Sequence, residues 1–163
     1  MTRIGVISDT HIQNKEGELP EGILEAFKKV DMVIHVGDLL NLSVLDKLKQ
    51  VCKDVRAVAG NMDPAETKEK LPQKEIITIS NHKIGIAHGY GHPAGLVDVL
   101  EKIFKDDEVD VIIFGHSHTP FNEKRGKILF FNPGSPTDKV FAPFNSYGIL
   151  EINNQVEGKI VKI

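Results

Sequence analysis

Tryptophan is absent and cysteine occurs once, as Cys52. A lone cysteine closes no intrachain disulfide, which is the expectation for a chain in a reducing cytoplasm. No run of about 18 apolar residues exists, so no membrane span is expected. Positive charge is not in excess: 20 Lys and Arg stand against 23 Asp and Glu, a formal net charge of −3. That balance argues against binding extended nucleic acid, which wants a basic surface. A small anionic substrate is still compatible with it, given a local positive charge. No signal or transit peptide is visible, since Met1-Thr2-Arg3 leads directly into a strand-like run. Linkers, repeats and low-complexity segments are missing too. What is there is 163 residues, 40% of them hydrophobic, enough for one domain over 1–163 with its own core. A metal would therefore be present for chemistry and not to hold the chain together.

Short apolar runs alternate with amphipathic stretches. Ile4 to Ile7, Met32 to Val36 and Val55 to Ala59 read as buried strands. Between them, Ile23, Phe27 and Val30 make one helical stripe, and Val44, Leu45, Leu48 and Val51 another, with Ser43 placed as its N-cap. Asp63-Pro64-Ala65-Glu66 reads as a helix start with Asp63 as the cap. Strand and helix alternating in this way predict a parallel sheet with right-handed crossovers. Glu75 to Ser80 and Lys83 to Ala87 then flank an Asn81-His82 turn, and a helix is expected after Pro93. Val111 to Phe114, Phe121 to Lys124, Ile128 to Phe131, Tyr147 to Ile152 and Val156 to Ile163 predict a second, more antiparallel sheet. The expected architecture is α/β: two sheets face to face with helices outside.

Polar groups gather where the apolar strands stop: Ser8-Asp9-Thr10-His11, Gly37-Asp38, Gly60-Asn61, His88-Gly89 and Gly115-His116-Ser117-His118. The carboxyl ends of strands form the ligand-binding edge of α/β sheets. Asp9 and His11 are two apart, so an extended segment would point both to one side, and likewise His116 and His118. Carboxylate and imidazole without thiolate suit divalent manganese, iron, cobalt, nickel or zinc. Seven such ligands are too many for one ion that leaves room for water. Shared between two ions they suit a hydrolytic centre with a metal separation of roughly 3.5–4 Å.

Asp9-x-His11, Gly37-Asp38, Gly60-Asn61, His88-Gly89 and Gly115-His116-x-His118, in this order, resemble the five blocks of the calcineurin-like metallophosphoesterase superfamily. The short chain is similar to its small prokaryotic phosphodiesterase branch, and Asn132-Pro133-Gly134-Ser135 resembles a turn of that branch. The resemblance covers about residues 3–152. It implies a four-layer αββα sandwich of two mixed sheets. It also implies a metal-dependent phosphoric diester hydrolase that attacks small phosphate diesters with a metal-bridging hydroxide. Asp9, His11 and His118 would bind one ion, Asn61, His88 and His116 the other, and Asp38 would bridge. Asp38, Asn61 and His88 would also be catalytic. Two divalent ions are implied, manganese foremost, with nickel, iron, cobalt or zinc as alternatives. A homo-oligomer is compatible with this reading. One residue departs from the pattern: many members carry histidine after the block asparagine, and here Met62 stands there, unable to protonate a leaving group. Diesters or activated esters are therefore expected over alkyl monoesters. The alternatives are a phosphomonoesterase, or a non-catalytic scaffold such as the retromer subunit similar to this family, whose ligand set is degraded.

Other residues carry plainer expectations. His35, inside a strand, reads as a core or supporting histidine, and His82 as a solvated turn residue. Tyr90 and His92 read as loop residues, with His92 the first substitute for the missing acid. The Phe141-Ala142-Pro143-Phe144 segment reads as packing, pocket wall or subunit contact, and Cys52 as an apolar filler.

Overall fold

A computed structural model describes residues 1–163. The first sheet contains β1 (Thr2–Ile7), β2 (Met32–His35) and β3 (Val55–Ala57), joined through α1 (Glu21–Phe27) and α2 (Ser43–Lys49). The second begins, after α3 (Ala65–Lys70), with β4 (Lys74–Ile79) and β5 (His82–Ala87). It continues, after α4 (Leu96–Ile103), with β6 (Val111–Ile113), β7 (Phe121–Arg125) and β8 (Ile128–Asn132). β9 (Ser146–Ile152) and β10 (Val156–Lys162) close the chain. The strand orders are β10-β9-β1-β2-β3 and β4-β5-β6-β8-β7. Within them β1, β2 and β3 run parallel, as do β5, β6 and β8, so both sheets are mixed. No helix is long and apolar enough to cross a membrane.

The period of two along each strand divides its side chains between two layers. Ile4, Val6, Ile34, Ile86, Ile113 and Phe131 meet between the sheets. The alternate residues Ile7 and Val33 face outward to Ile23 and Phe27 of α1 and Leu48 of α2. On the other side Ile112 and Phe130 pack with Leu96, Leu100 and Phe104 around α4. The four-layer αββα expectation matches this arrangement.

Three local expectations need correction. β9 and β10 join the first sheet, because β9 pairs antiparallel with β1 from Thr2↔Ile152 to Val6↔Gly148. Alternating sequence predicts a strand but not the edge to which it adds. The hairpin turn is Ser80-Asn81, one residue earlier than expected, since Ile79 pairs with His82. Both turn residues have positive φ, 48° and 69°, as a two-residue turn following the right-handed strand twist requires. Ser43 does not cap α2; Asn41 Oδ1 accepts the Ser43 N–H at 3.0 Å instead.

Phe27 is fully buried, whereas Phe141 is 77% exposed. Phe27→Ala is expected to cost about 3–5 kcal/mol and Phe141→Ala less than about 0.5 kcal/mol, measured by denaturant unfolding.

Candidate metal centre

Six strand ends converge on one rim. Asp9 and His11 follow β1, Asp38 follows β2, Asn61 follows β3, His88 follows β5, His116 and His118 follow β6, and Ser135 follows β8. The loops after β1 and β2 are laced together by Asp9 N–H to the Gly37 carbonyl and His11 N–H to the Asp38 carbonyl, both 3.0 Å. Asp9, His11, Asp38, His116 and His118 have φ of 55°, 47°, 56°, 72° and 58°. These segments are therefore not extended, as the spacing argument assumed; the side chains converge through left-handed turns. Gly115 makes room for Asp9, since a Cβ there would strike Ser8 Oγ and Asp9 Oδ2. Gly60 does the same for Asp38.

The structure brings all seven candidate ligands into one cluster. Asp9 Oδ1 lies 3.3 Å from His118 Nε2, 3.7 Å from His88 Nε2 and 3.8 Å from His11 Nε2. Asp38 Oδ2 lies 3.2 Å from His88 Nε2 and 3.5 Å from His11 Nε2. Two compact groups result, Asp9-His11-His118 and Asp9-Asp38-His88. Asn61 and His116 complete the open side, with His116 Nδ1 3.2 Å from Asn61 Oδ1.

The ring protons follow from the partners. His88 Nδ1–H donates to the Val36 carbonyl at 2.7 Å and His118 Nδ1–H to Asp138 Oδ2 at 2.6 Å. Each ring then presents an Nε2 lone pair to the cluster, the form that binds metal. His116 Nε2–H donates to the Gly91 carbonyl at 2.8 Å, so its Nδ1 lone pair faces the Asn61 oxygen. Asp9 Oδ1, His11 Nε2 and His88 Nε2 are buried and make no hydrogen bond. Buried polar atoms are seldom left unpaired. Oxygen and nitrogen lone pairs aimed at one another without a donor between them fit a divalent cation, and this chemistry is the test the site passes.

Without an ion, protons must supply the positive charge. Burial tends to raise the Asp9 pKa, but the imidazoles of His11, His118 and His88 hold it well below the carboxylate range. Burial likewise opposes ionisation of Asp38, which is lowered chiefly by His88. The carboxylate of Asp9, against desolvation and with Asp138, lifts His118 to about 9. Burial would depress His88, but Asp38 and Asp9 raise it.

Asp63 is not a helix cap. Its Oδ2 accepts N–H bonds from Gly60 at 2.7 Å and Asp38 at 2.9 Å, and its Oδ1 accepts one from Leu40 at 2.8 Å. One buried carboxylate thus clamps the Gly37-Asp38 and Gly60-Asn61 loops together, and α3 starts without a side-chain cap. His35 is fully buried and supports the site from below. Its Nδ1 accepts the Gly37 N–H, so its Nε2–H donates to Thr10 Oγ1 at 3.0 Å. Burial pushes it down to about 3, so it is neutral. Ser135 Oγ donates to the Asp9 carbonyl at 2.8 Å, and Asn132 Nδ2 to the Gly115 carbonyl at 2.9 Å. The turn after β8 therefore fixes the loops after β1 and β6. Asp138 was not singled out by the sequence; beyond His118, its carboxylate accepts the N–H groups of Val140, Phe141 and Ala142. Its only sequence signal is an aspartate soon after a turn that already resembles the family's. His92 Nδ1 accepts the Ala94 N–H, capping the Pro93–Gly95 turn, and does not line the recess over the cluster.

A family model of the calcineurin-like phosphoesterase superfamily domain matches residues 2–155. The chain is 43% identical over 161 residues to a probable metallophosphoesterase of Methanocaldococcus jannaschii, covering 98% of this chain and 81% of that protein. It is 31% identical to a phosphodiesterase of the same organism, over 81% of this chain and 82% of the other. Among solved structures, Vps29 of Entamoeba histolytica complexed with zinc superposes with a TM-score of 0.78 at 27% identity, over 98% of both chains. The protein belongs to the calcineurin-like phosphoesterase superfamily, a metal-dependent family, and its Asp and His clusters are able to bind metal.

Two outcomes are expected. Metal must displace the His118 proton below about pH 9, so manganese affinity measured by calorimetry should rise between pH 6 and 8 with net proton release. The sign for the metal-free fold is opposite. A histidine raised from 6.5 to about 9 stabilises fully below pH 6.5, and that contribution is lost as pH rises through 9. Asp63→Asn should destabilise the metal-free protein by about 1–3 kcal/mol in denaturant titrations, because an amide cannot accept all three N–H groups.

Proposed function

We propose that the protein is a dinuclear-metal phosphodiesterase acting on small phosphate diesters in the cytoplasm, with residues 1–163 working as one domain. The observation that carries this reading is the set of buried, donorless lone pairs on Asp9, His11 and His88 at the strand ends. Asp9, His11 and His118 would hold one ion and Asn61, His88 and His116 the other. Asp38 would lie between them, which is supported by Oδ2 facing His11 of one set and His88 of the other. Manganese is the first choice, with nickel, iron, cobalt and zinc as alternatives that the donor types also admit. When bound, such ions supply a water acidified to a nucleophile and positive charge for the phosphoryl oxygens.

The chain's own residues orient. Met62 N–H holds Asp38 Oδ1 at 2.8 Å, leaving Oδ2 for the cluster. The Val36 carbonyl and Asp138 lock the rings of His88 and His118. Asp38, Asn61 and His88 are the catalytic residues in this reading, adjoining the reacting phosphate. What the chain does not offer is a free acid. The recess above the cluster is lined by Met62 in the position beside Asn61, and His92 is engaged elsewhere. Good leaving groups and diesters are therefore the fitting substrates, and the 31% identity to a phosphodiesterase supports that choice. The resemblance to Vps29 keeps a scaffold as the second reading. Against it stands the complete ligand set, held in backbone strain that a scaffold has no use for.

Asp38→Asn should remove most turnover while leaving circular dichroism unchanged, and chelation should do the same. Across aryl esters of graded leaving-group pKa, rates should fall steeply, and Met62→His should raise monoester hydrolysis, a general acid being worth about 10²–10⁴-fold. Preference of the wild type for unactivated alkyl monoesters over diesters would contradict the reading.

A further inference from the structure

Asn61, a candidate ligand on the open side of the cluster, lines two recesses. One, of about 320 Å³, lies over the cluster, with Asp38, His116 and His118 in its wall. The other, of about 400 Å³, follows the ends of β3 and β5 past His88, Gln73, Lys68, Lys74 and Tyr90. A group held over the cluster therefore has one residue, Asn61, to pass before its substituent enters the second recess.

Three contacts build that recess. Ala59 N–H donates to the Pro72 carbonyl at 2.8 Å, which draws the chain before Gln73 against the end of β3. Lys74 opens β4 opposite Ala87, the residue before His88. Lys68, on α3, turns back so that its Nζ donates to the Asn61 carbonyl at 3.0 Å.

Its charge differs from that of the rest of the rim. The recess over the cluster contains the Asp38 carboxylate, and the one beyond His11 contains Asp9, Glu18 and Asp138. No carboxylate lines the recess with the lysines. Lys74 is partly neutralised, since its Nζ donates to Asp107 and to the Ile103 carbonyl. Lys68 is not: its neighbour Lys70 pairs with Glu66, whereas Lys68 itself meets a neutral carbonyl. An ammonium has three donors, so Lys68 keeps two free and Lys74 one. In a chain of net charge −3, this is a local excess of positive charge touching the candidate centre.

Resting on the phosphodiesterase reading, we propose that this recess is an anion subsite, and that the substrate is a phosphodiester with a further phosphate on one arm. The reacting phosphate lies over the cluster. The second phosphate meets the Lys68 ammonium and the remaining Lys74 donor, with the Gln73 amide and Tyr90 hydroxyl in the same wall. Bonds from an ammonium to phosphate are stronger than neutral ones, so Lys68 is the specificity residue. Lys68 is exposed, so the attraction is screened and falls with salt.

The test uses manganese-loaded protein and two esters: nitrophenyl propyl phosphate, and the same ester with a further phosphate at the end of the propyl arm. Release of nitrophenol is followed in both. The wild type should show a kcat/KM roughly tenfold higher for the second ester. Lys68→Gln should raise KM for that ester roughly fivefold more than for the plain one, and Lys68→Arg should keep most of the preference. The preference should shrink as salt is raised from about 50 to 500 mM. Lys70→Gln, which breaks the pair with Glu66, should leave the preference as it is. Absence of the preference, or its survival in Lys68→Gln, would overturn the inference. So would equal damage by Lys68→Gln to both esters together with weaker manganese binding, which would mean that Lys68 only props the Asn61 carbonyl. Calorimetry with methyl propyl phosphinate, whose carbon–phosphorus bonds are not hydrolysed, with and without a terminal phosphonate, separates this from the activity itself. If neither ester is turned over but the phosphonate tightens binding and Lys68→Gln removes that gain, the enzyme reading fails and the subsite inference stands. If the plain ester is hydrolysed and the phosphonate adds nothing to binding, the enzyme reading stands and this inference fails.

Discussion

Two carboxylates, Asp9 and Asp38, are buried within reach of the same imidazoles at the ends of neighbouring parallel strands. Two like charges removed from water repel each other and lose hydration, so the arrangement persists only with positive charge between and around them. Most of the polar architecture of the rim answers that demand. Three imidazoles turn Nε2 toward the pair, and Ser8 Oγ donates to Asp9 at 2.7 Å. The His116 N–H joins Ser8 on Asp9 Oδ2, and the Met62 N–H takes Asp38 Oδ1. Donors from the protein satisfy one oxygen of each carboxylate and leave Asp9 Oδ1 and Asp38 Oδ2 facing the histidines. Protons or metal ions must supply the rest.

Holding the groups there strains the backbone. Non-glycine residues in the left-handed region are disfavoured by roughly 1–2 kcal/mol each, and five of the seven candidate ligands lie there. The strain is carried by bonds that over-determine each turn: Asp63 on the Asp38 and Gly60 N–H groups, Ser135 on the Asp9 carbonyl, Asn132 on the Gly115 carbonyl. These anchors are rooted in the inter-sheet core, where Ile4, Val6, Ile34 and Ile113 of the same strands are fully buried. Strand packing and site geometry are therefore one system, and the strain concentrates where function is expected.

The strands and the candidate ligands were legible because both interrupt a pattern. Asp9, Asp38, Asn61, His88 and His116 break apolar runs, and all but Asp9 stand next to a glycine. What was not legible is what acts across sequence distance. Asp63 grips backbone 25 residues away at Asp38, and Asp138 meets a ring 20 residues away at His118. Neither contact leaves a period or a spacing in the chain. Asp63 even sits before a proline and a helix, the local signature of a cap, and tertiary hydrogen bonding overrides it. The placement of β9 beside β1 escaped for a related reason: alternation tells which residues face inward, not which strand lies alongside.

The central claim is that the converging lone pairs form a two-ion centre. Anomalous diffraction at the manganese edge, from manganese-soaked crystals, tests it most directly. The account predicts two peaks per chain roughly 3.5–4 Å apart, one against Asp9, His11 and His118, the other against Asn61, His88 and His116, with Asp38 touching both. A single peak at full occupancy, or two peaks far apart, would contradict it.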